Sequence, residues 1–312
     1  MQKQFLCIYT RRISRSWRGA CDIEQRSIHS VCEQRDEHVT MPELERRRVY
    51  PKFAGIFVLA LATIGLMVTF TFIARIPQWS SYHQFADTRK IGGIPNFFNV
   101  ISNVLFILVA MLGFHSLKKQ WQNKKLSGKE SVVFLVLLIG VFLTGVGSAY
   151  YHLLPDNNRL VWDRLPMTIV FMSLLSLTIM EKINFKLGFW LLIPLVGLGI
   201  FSVLYWYFTE LSGYGDLRLY GLVQFYSIFL ILIIVLLFPK SYPPLTTYIW
   251  MLCFYGIAKM FEDLDMAIFK LGHIISGHTL KHIFSAVAIY AVVIILNKKP
   301  RILGNEMKTA RS

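Results

Sequence analysis

Residues 132–153 read VVFLVLLIGVFLTGVGSAYYHL, 22 positions of which the 20 before His152 carry no charged side chain. Crossing the hydrocarbon of a bilayer takes about 20 mostly apolar residues in a helix. The run shows neither the polar face of a helix lying on a soluble core nor the alternation of a half-buried strand. Seven further stretches share its character, at about 54–74, 97–117, 163–180, 187–208, 219–238, 246–270 and 279–297. In chain order the eight segments are A to H. Backbone groups in lipid must be satisfied within their own segment, so all eight are expected to be helices. The expected fold class is therefore all-α, a polytopic membrane helical bundle.

Composition agrees. Of 312 residues, 54% are hydrophobic and 16% charged, against about 25% charged in soluble domains. Mean hydropathy is +0.49. A net charge of +15 could suggest nucleic acid. The basic residues, however, lie between the apolar runs and at the two ends, where they meet lipid headgroups, so no nucleic-acid partner is expected. Cys7, Cys21, Cys32 and Cys253 show no CxxC spacing and support neither a disulfide framework nor a cysteine metal site.

Three parts follow: a polar, basic tail over 1–52, a membrane domain over 53–297 and a second basic tail over 298–312. Met41 stands five residues before Arg46-Arg47-Arg48, which segment A follows, so residues 1–40 read as a dispensable extension or a cytoplasmic tail. If both tails share one side with the B–C, D–E and F–G loops, that side holds 24 lysines and arginines against about 7 opposite. Leaving out the long N-terminal tail, the balance is still 13 to about 7. The positive-inside rule then puts both termini in the cytoplasm and the A–B, C–D, E–F and G–H connections outside.

Ionisable groups within a bilayer are costly, about 2.5–3.5 kcal/mol each on insertion scales, and so call for a reason. Ser148 and His152 stand four apart at the end of segment C, and His278 and His282 four apart at the start of segment H. Asp163 opens segment D, and Asn96, Asn99, Ser102 and Asn103 open segment B. The inferred topology brings all four clusters to one depth, just beneath the extracytoplasmic face. Three histidines suit tetrahedral zinc with a fourth position left for water. Zinc there would acidify that water and polarise a carbonyl oxygen, as amide hydrolysis requires. The bland alternative is histidines hydrogen-bonding across helices as structural glue.

At these residues the sequence resembles the alkaline ceramidase family, within the seven-helix membrane hydrolases that include the adiponectin receptors. The resemblance covers about 87–297 and rests on Gly147-Ser148 with His152, Asp163 eleven residues later, Pro166-Met167, the His278–His282 pair, and Asn99-Val100-Ile101-Ser102-Asn103. It implies a seven-helix ceramidase-like core formed by B to H, with A as an extra N-terminal transmembrane helix. It also implies zinc on His152, His278 and His282, Asp163 orienting or deprotonating the water, and Ser148 helping to hold the oxyanion. The implied reaction splits the N-acyl bond of ceramide or a ceramide-like lipid. An N-acyl amino-acid lipid is the alternative substrate, and a receptor-like or scaffold protein with structural zinc the alternative class. One departure stands out. The eukaryotic enzymes carry an acidic, calcium-binding cluster before the first core helix, whereas here Asp87 is followed by Arg89 and Lys90. No calcium site is expected.

On segment G, Lys259 and Glu262 or Asp263 are spaced for an ion pair. Asp263 or Asp265 could instead accept the second ring N–H of a zinc ligand. His83, His115 and His273 are expected to stand apart from the chemistry.

Overall fold

The computed structural model describes residues 72–240 and 242–300, together with single positions between 55 and 68. The N-terminal tail, most of segment A and nearly all of the C-terminal tail lie outside the described residues. Six helices are long and apolar enough to cross a membrane: α1 Phe97–Gln122, α2 Gly128–Leu153, α3 Asn157–Lys182, α4 Phe185–Leu211, α5 Arg218–Leu237 and, last in the chain, α7 Gly277–Lys298. They correspond to segments B, C, D, E, F and H. Among the described residues there are no strands beyond a lone bridge between Ile91 and Ile94. The fold is the helical membrane bundle expected.

Segment G differs from its expected form. It gives a 19-residue helix, α6 Leu245–Asp263, which breaks at Leu264 before a short helix Asp265–Lys270. The cause lies in its polar end. Asp265 Oδ1 accepts the backbone N–H of His278 at 2.7 Å, and its Oδ2 that of Ala86 at 2.9 Å. A carboxylate committed to two other segments draws its own backbone out of line.

Helix starts follow local chemistry. Ser127 and Glu130 form a capping box at α2. Asp156 accepts from Arg159 N–H, Asn184 from Leu187 N–H and Ser276 from Thr279 N–H. α3 thus begins at Asn157, six residues before Asp163, which lies in its second turn rather than at its mouth.

α3 is central and buried over most of its length, while α4 is peripheral. On α4, Trp190 is 67% exposed and Ile193 76%, side chains suited to acyl chains rather than water. The main core joins Leu137 and Leu138 of α2, Leu174 and Leu177 of α3, and Ile295 and Leu296 of α7. At the end bearing the C-terminus of α7, Lys299 bridges Glu130 at 2.5 Å and Glu181 at 2.6 Å, tying α7 to α2 and α3. Nearby, Lys182 donates to the carbonyls of Pro243 at 2.6 Å and Lys240 at 3.0 Å.

At the other end two glycines set the helix spacing. A Cβ on Gly147 of α2 would overlap the Trp162 carbonyl of α3, and one on Gly277 of α7 would overlap the Phe261 carbonyl of α6. Only hydrogen fits at these crossings. Gly147→Ala is expected to lower the unfolding temperature in detergent, with an overpacking cost of about 1–3 kcal/mol or more. Gly197→Ala, on α4 with no neighbour near the added methyl, should be neutral or stabilising by up to about 1 kcal/mol. Equal behaviour of the two variants would remove Gly147 as the spacing element.

Candidate metal centre

The Gly147 crossing presses the end of α2 against the second turn of α3. The adjacent Ser148, 3% exposed, and Asp163, 6% exposed, line one cavity. One turn on from Ser148, His152 points into the same space. Ser276 caps α7 so that His278 and His282 occupy its first two turns and face inward.

The three imidazoles form a nearly equilateral cluster. Ring centroids are 4.8 Å apart for His152–His278 and 4.9 Å for each of the other two pairs. All three rings are buried, and their candidate ligand atoms lie within 4.8 Å of one another. His278 Nε2 and His152 Nε2 are 3.3 Å apart. Two nitrogens at about 2.0–2.1 Å from a tetrahedral centre stand about 3.3–3.4 Å apart. Donor type, convergence and spacing therefore fit a zinc-sized cation.

The protonation of His282 follows from its partner. Ser102 Oγ lies 2.8 Å from His282 Nδ1 and donates to the Asn99 carbonyl at 3.2 Å. With the hydroxyl proton directed to Asn99, Nδ1–H of His282 donates to Ser102, which leaves Nε2 with its lone pair free for a cation. His152 is steadied through its backbone, whose carbonyl accepts Asn96 Nδ2 at 2.8 Å. Its Nδ1 is buried with no hydrogen-bond partner, so no such bond fixes the tautomer of that ring.

A strap before α1 covers the cluster. Phe85 packs its ring 4.6 Å from His152 and 4.5 Å from His278, centroid to centroid. The strap is held at several points. His83 meets Tyr151 Oη and Asn157 Oδ1, each at 2.9 Å, Ala86 N–H reaches Asp265, and Arg89 donates to the Ile274 carbonyl at 2.8 Å. The Asp87 carboxylate, 1% exposed, is paired with Arg89 at 2.6 Å. Burial opposes that charge, and the Arg89 hydrogen bonds outweigh it, holding the Asp87 carboxyl below the usual carboxylate range.

Below the histidines a cavity extends into the bundle. Asp163, Ser148, His282 and Lys281 border its polar end, and Val170, Phe171, Leu174, Met251 and Ile289 are among its apolar walls.

The structure thus gathers His152, His278, His282, Ser148 and Asp163. It corrects the reading of Asp265, which bonds the backbone N–H of His278 and not its ring, while Asp263 is exposed. His273 is exposed at φ 55°, edge-on to Phe269, and His115 lies in a separate concavity with Lys119 and Gln120. His83, expected to stand apart from the chemistry, bonds Tyr151 beside His152. Sequence reading also passed over Phe85 and Lys281. Lys281 had one signal, its place between two histidines of a single helix turn.

Residues 91–306 match the Ceramidase family, and the chain belongs to it. The family is one of hydrolases that act on the amide bond of ceramide-type lipids. No curated protein matches the chain.

The Ser102–His282 bond carries a prediction. Ser102→Ala should weaken binding of a divalent metal at the three histidines about 10- to 100-fold, read by competition with a chelating dye, while the fold persists. Unchanged affinity would remove Ser102 as the group that sets the His282 tautomer.

Proposed function

We propose that this chain is a zinc-dependent intramembrane amidase that cleaves the N-acyl bond of ceramide or a ceramide-like lipid, releasing a fatty acid and a long-chain amine. The observation that carries the proposal is the set of three buried imidazoles with two nitrogens at 3.3 Å, with Ser148 and Asp163 beside His282 in the wall of one cavity. Membership of the Ceramidase family supports the same reaction class.

His152, His278 and His282 would hold the zinc. Zinc in such a site supplies an acidified water and polarises a carbonyl. Asp163 takes up the proton that the attacking water loses, and passes one to the departing amine nitrogen. Ser148 Oγ–H donates to the carbonyl oxygen as negative charge builds there. The acyl chain lies along Val170, Phe171, Leu174 and Ile289. Phe85 closes the polar end toward the strap and limits stray water. The charge distribution supports cytoplasmic termini and a site near the extracytoplasmic face.

Purified protein should contain about one zinc per chain by elemental analysis and release fatty acid from a panel of ceramides and N-acyl amino lipids. Stripping the metal with a chelator should abolish release, and adding zinc back should restore it. His152→Ala should lose the metal. Asp163→Asn should keep it while kcat falls about 100-fold or more. Full zinc occupancy with no turnover on any lipid would instead favour a receptor-like or scaffold protein with structural zinc.

A further inference from the structure

At the end of the bundle away from the histidines, the chain leaves α1 through a residue with a left-handed backbone. Lys124 lies at φ 53°, and its N–H and that of Lys125 return to the Trp121 and Gln120 carbonyls, each at 3.0 Å. These two bonds fold the chain back over the last turn of the helix. Lys125 thereby borders, with Gln120, a concavity of about 440 Å³. His115, Lys119 and Asn123 of α1 and Asn297 of α7 also line it. The metal centre is remote. Lys119 stands 17 positions after Ser102, about 25 Å of helix.

Two features make this a built site. Gln120 is 3% exposed, yet its Oε1 has no hydrogen-bond partner among the described residues. Leaving a buried amide oxygen unpaired is costly, and the concavity is where a donor can reach it. The second feature is charge. Lys119 and Lys125 form no ion pair among the described residues, and no carboxylate lines the concavity. Glu130 and Glu181, acids near this end, are both held by Lys299.

An occupant must therefore bring a hydrogen-bond donor for Gln120 and anionic oxygen for the lysines. A phosphodiester with a hydroxylated headgroup has both, whereas an ammonium headgroup would meet like charge. The surface beside the concavity selects a lipid. Leu108 and Leu112 are 51% and 52% exposed. With His115 and Lys119 they recur at intervals of four, three and four, and so share one face of α1. Exposed leucines running up to lysines make a track for an acyl chain beneath its headgroup. A soluble phosphate would leave them uncovered.

We propose that this concavity binds an anionic phospholipid with a hydroxylated headgroup, drawn from the leaflet opposite the metal centre. Its phosphate meets Lys119 and Lys125, a headgroup hydroxyl donates to Gln120 Oε1, and an acyl chain lies along Leu112 and Leu108. The lipid is a bound partner and not a substrate, since it carries no amide bond. By touching both α1 and α7 it fastens their ends together.

The test uses the full chain in a neutral detergent. Phosphatidylglycerol, phosphatidylmethanol and phosphatidylcholine of equal acyl length are compared with soluble glycerol phosphate, by native mass spectrometry and by unfolding temperature. Phosphatidylglycerol should bind about 30-fold more tightly than phosphatidylcholine and raise the unfolding temperature. Lys119→Gln/Lys125→Gln should erase that preference. Lys118→Gln/Lys186→Gln, an equal loss of charge at exposed positions outside the concavity, should keep it. Gln120→Met should lose only the margin of phosphatidylglycerol over phosphatidylmethanol, which is anionic but has no headgroup hydroxyl. Should the first lysine pair fail to fold, Lys119→Gln alone, at an exposed position, is expected to cut the preference about 5-fold. No change there overturns the proposal. So does equal binding of phosphatidylglycerol and phosphatidylcholine by the intact protein, or an equal loss in both lysine-pair variants. Glycerol phosphate binding as tightly as phosphatidylglycerol removes the lipid as occupant, and equal binding of phosphatidylglycerol and phosphatidylmethanol removes the role of Gln120. None of these readouts depends on amide hydrolysis.

Discussion

The site depends on how closely two helices can cross. At Gly147 the backbone of α2 meets the Trp162 carbonyl with room for hydrogen alone. Every polar contact beyond that point needs this approach. Ser148 and Asp163 line one cavity because the helices touch there, and His152, one turn further, arrives where α7 delivers its two histidines. Close packing in an apolar medium is favourable through dispersion, without the hydrophobic drive available in water. The glycine therefore both permits the crossing and lets the surrounding atoms gain from it.

Polar groups in such an interior form a chain of dependencies. Asn99 accepts from Ser102, Ser102 receives the His282 ring, and Asn99 Oδ1 also accepts Thr279 Oγ1 at 2.8 Å. α1 is thereby fastened to α7 by groups that also set a ring's proton. The Lys259–Glu262–Lys281 set does the same between α6 and α7. A buried charge pair contributes little net stability after desolvation, so its worth lies in fixing where charges sit.

Much of this was legible in the sequence, and the limits have physical causes. Apolar run length located six helices of membrane length among the described residues, because the bilayer imposes its thickness on each of them. The spacing of four in Ser148–His152 and His278–His282 placed each pair on one face, because helical geometry is local. Segment G was misread as continuous because its break at Leu264 arises from Asp265 serving two distant segments. Asp265 was one of two candidates for a ring N–H and is found on a backbone N–H, a distinction that spacing does not carry. The role of Phe85 was hidden for a related reason: nothing in residues 76–96 announces that a loop folds back over histidines 67 and 193 positions away. The expected domain limits in the N-terminal tail fall outside the described residues.

The Lys299 clamp lies at one end of the bundle and the strap at the other. Directional bonds are thus concentrated at the two rims, while the belt between them coheres largely through contacts between hydrocarbon groups, which tolerate sliding. A barrel hooped only at its ends yields by bowing its staves. Passage of a lipid through the wall at mid-height would then ask for a sideways flexing of helices, with both rims and the catalytic geometry left standing.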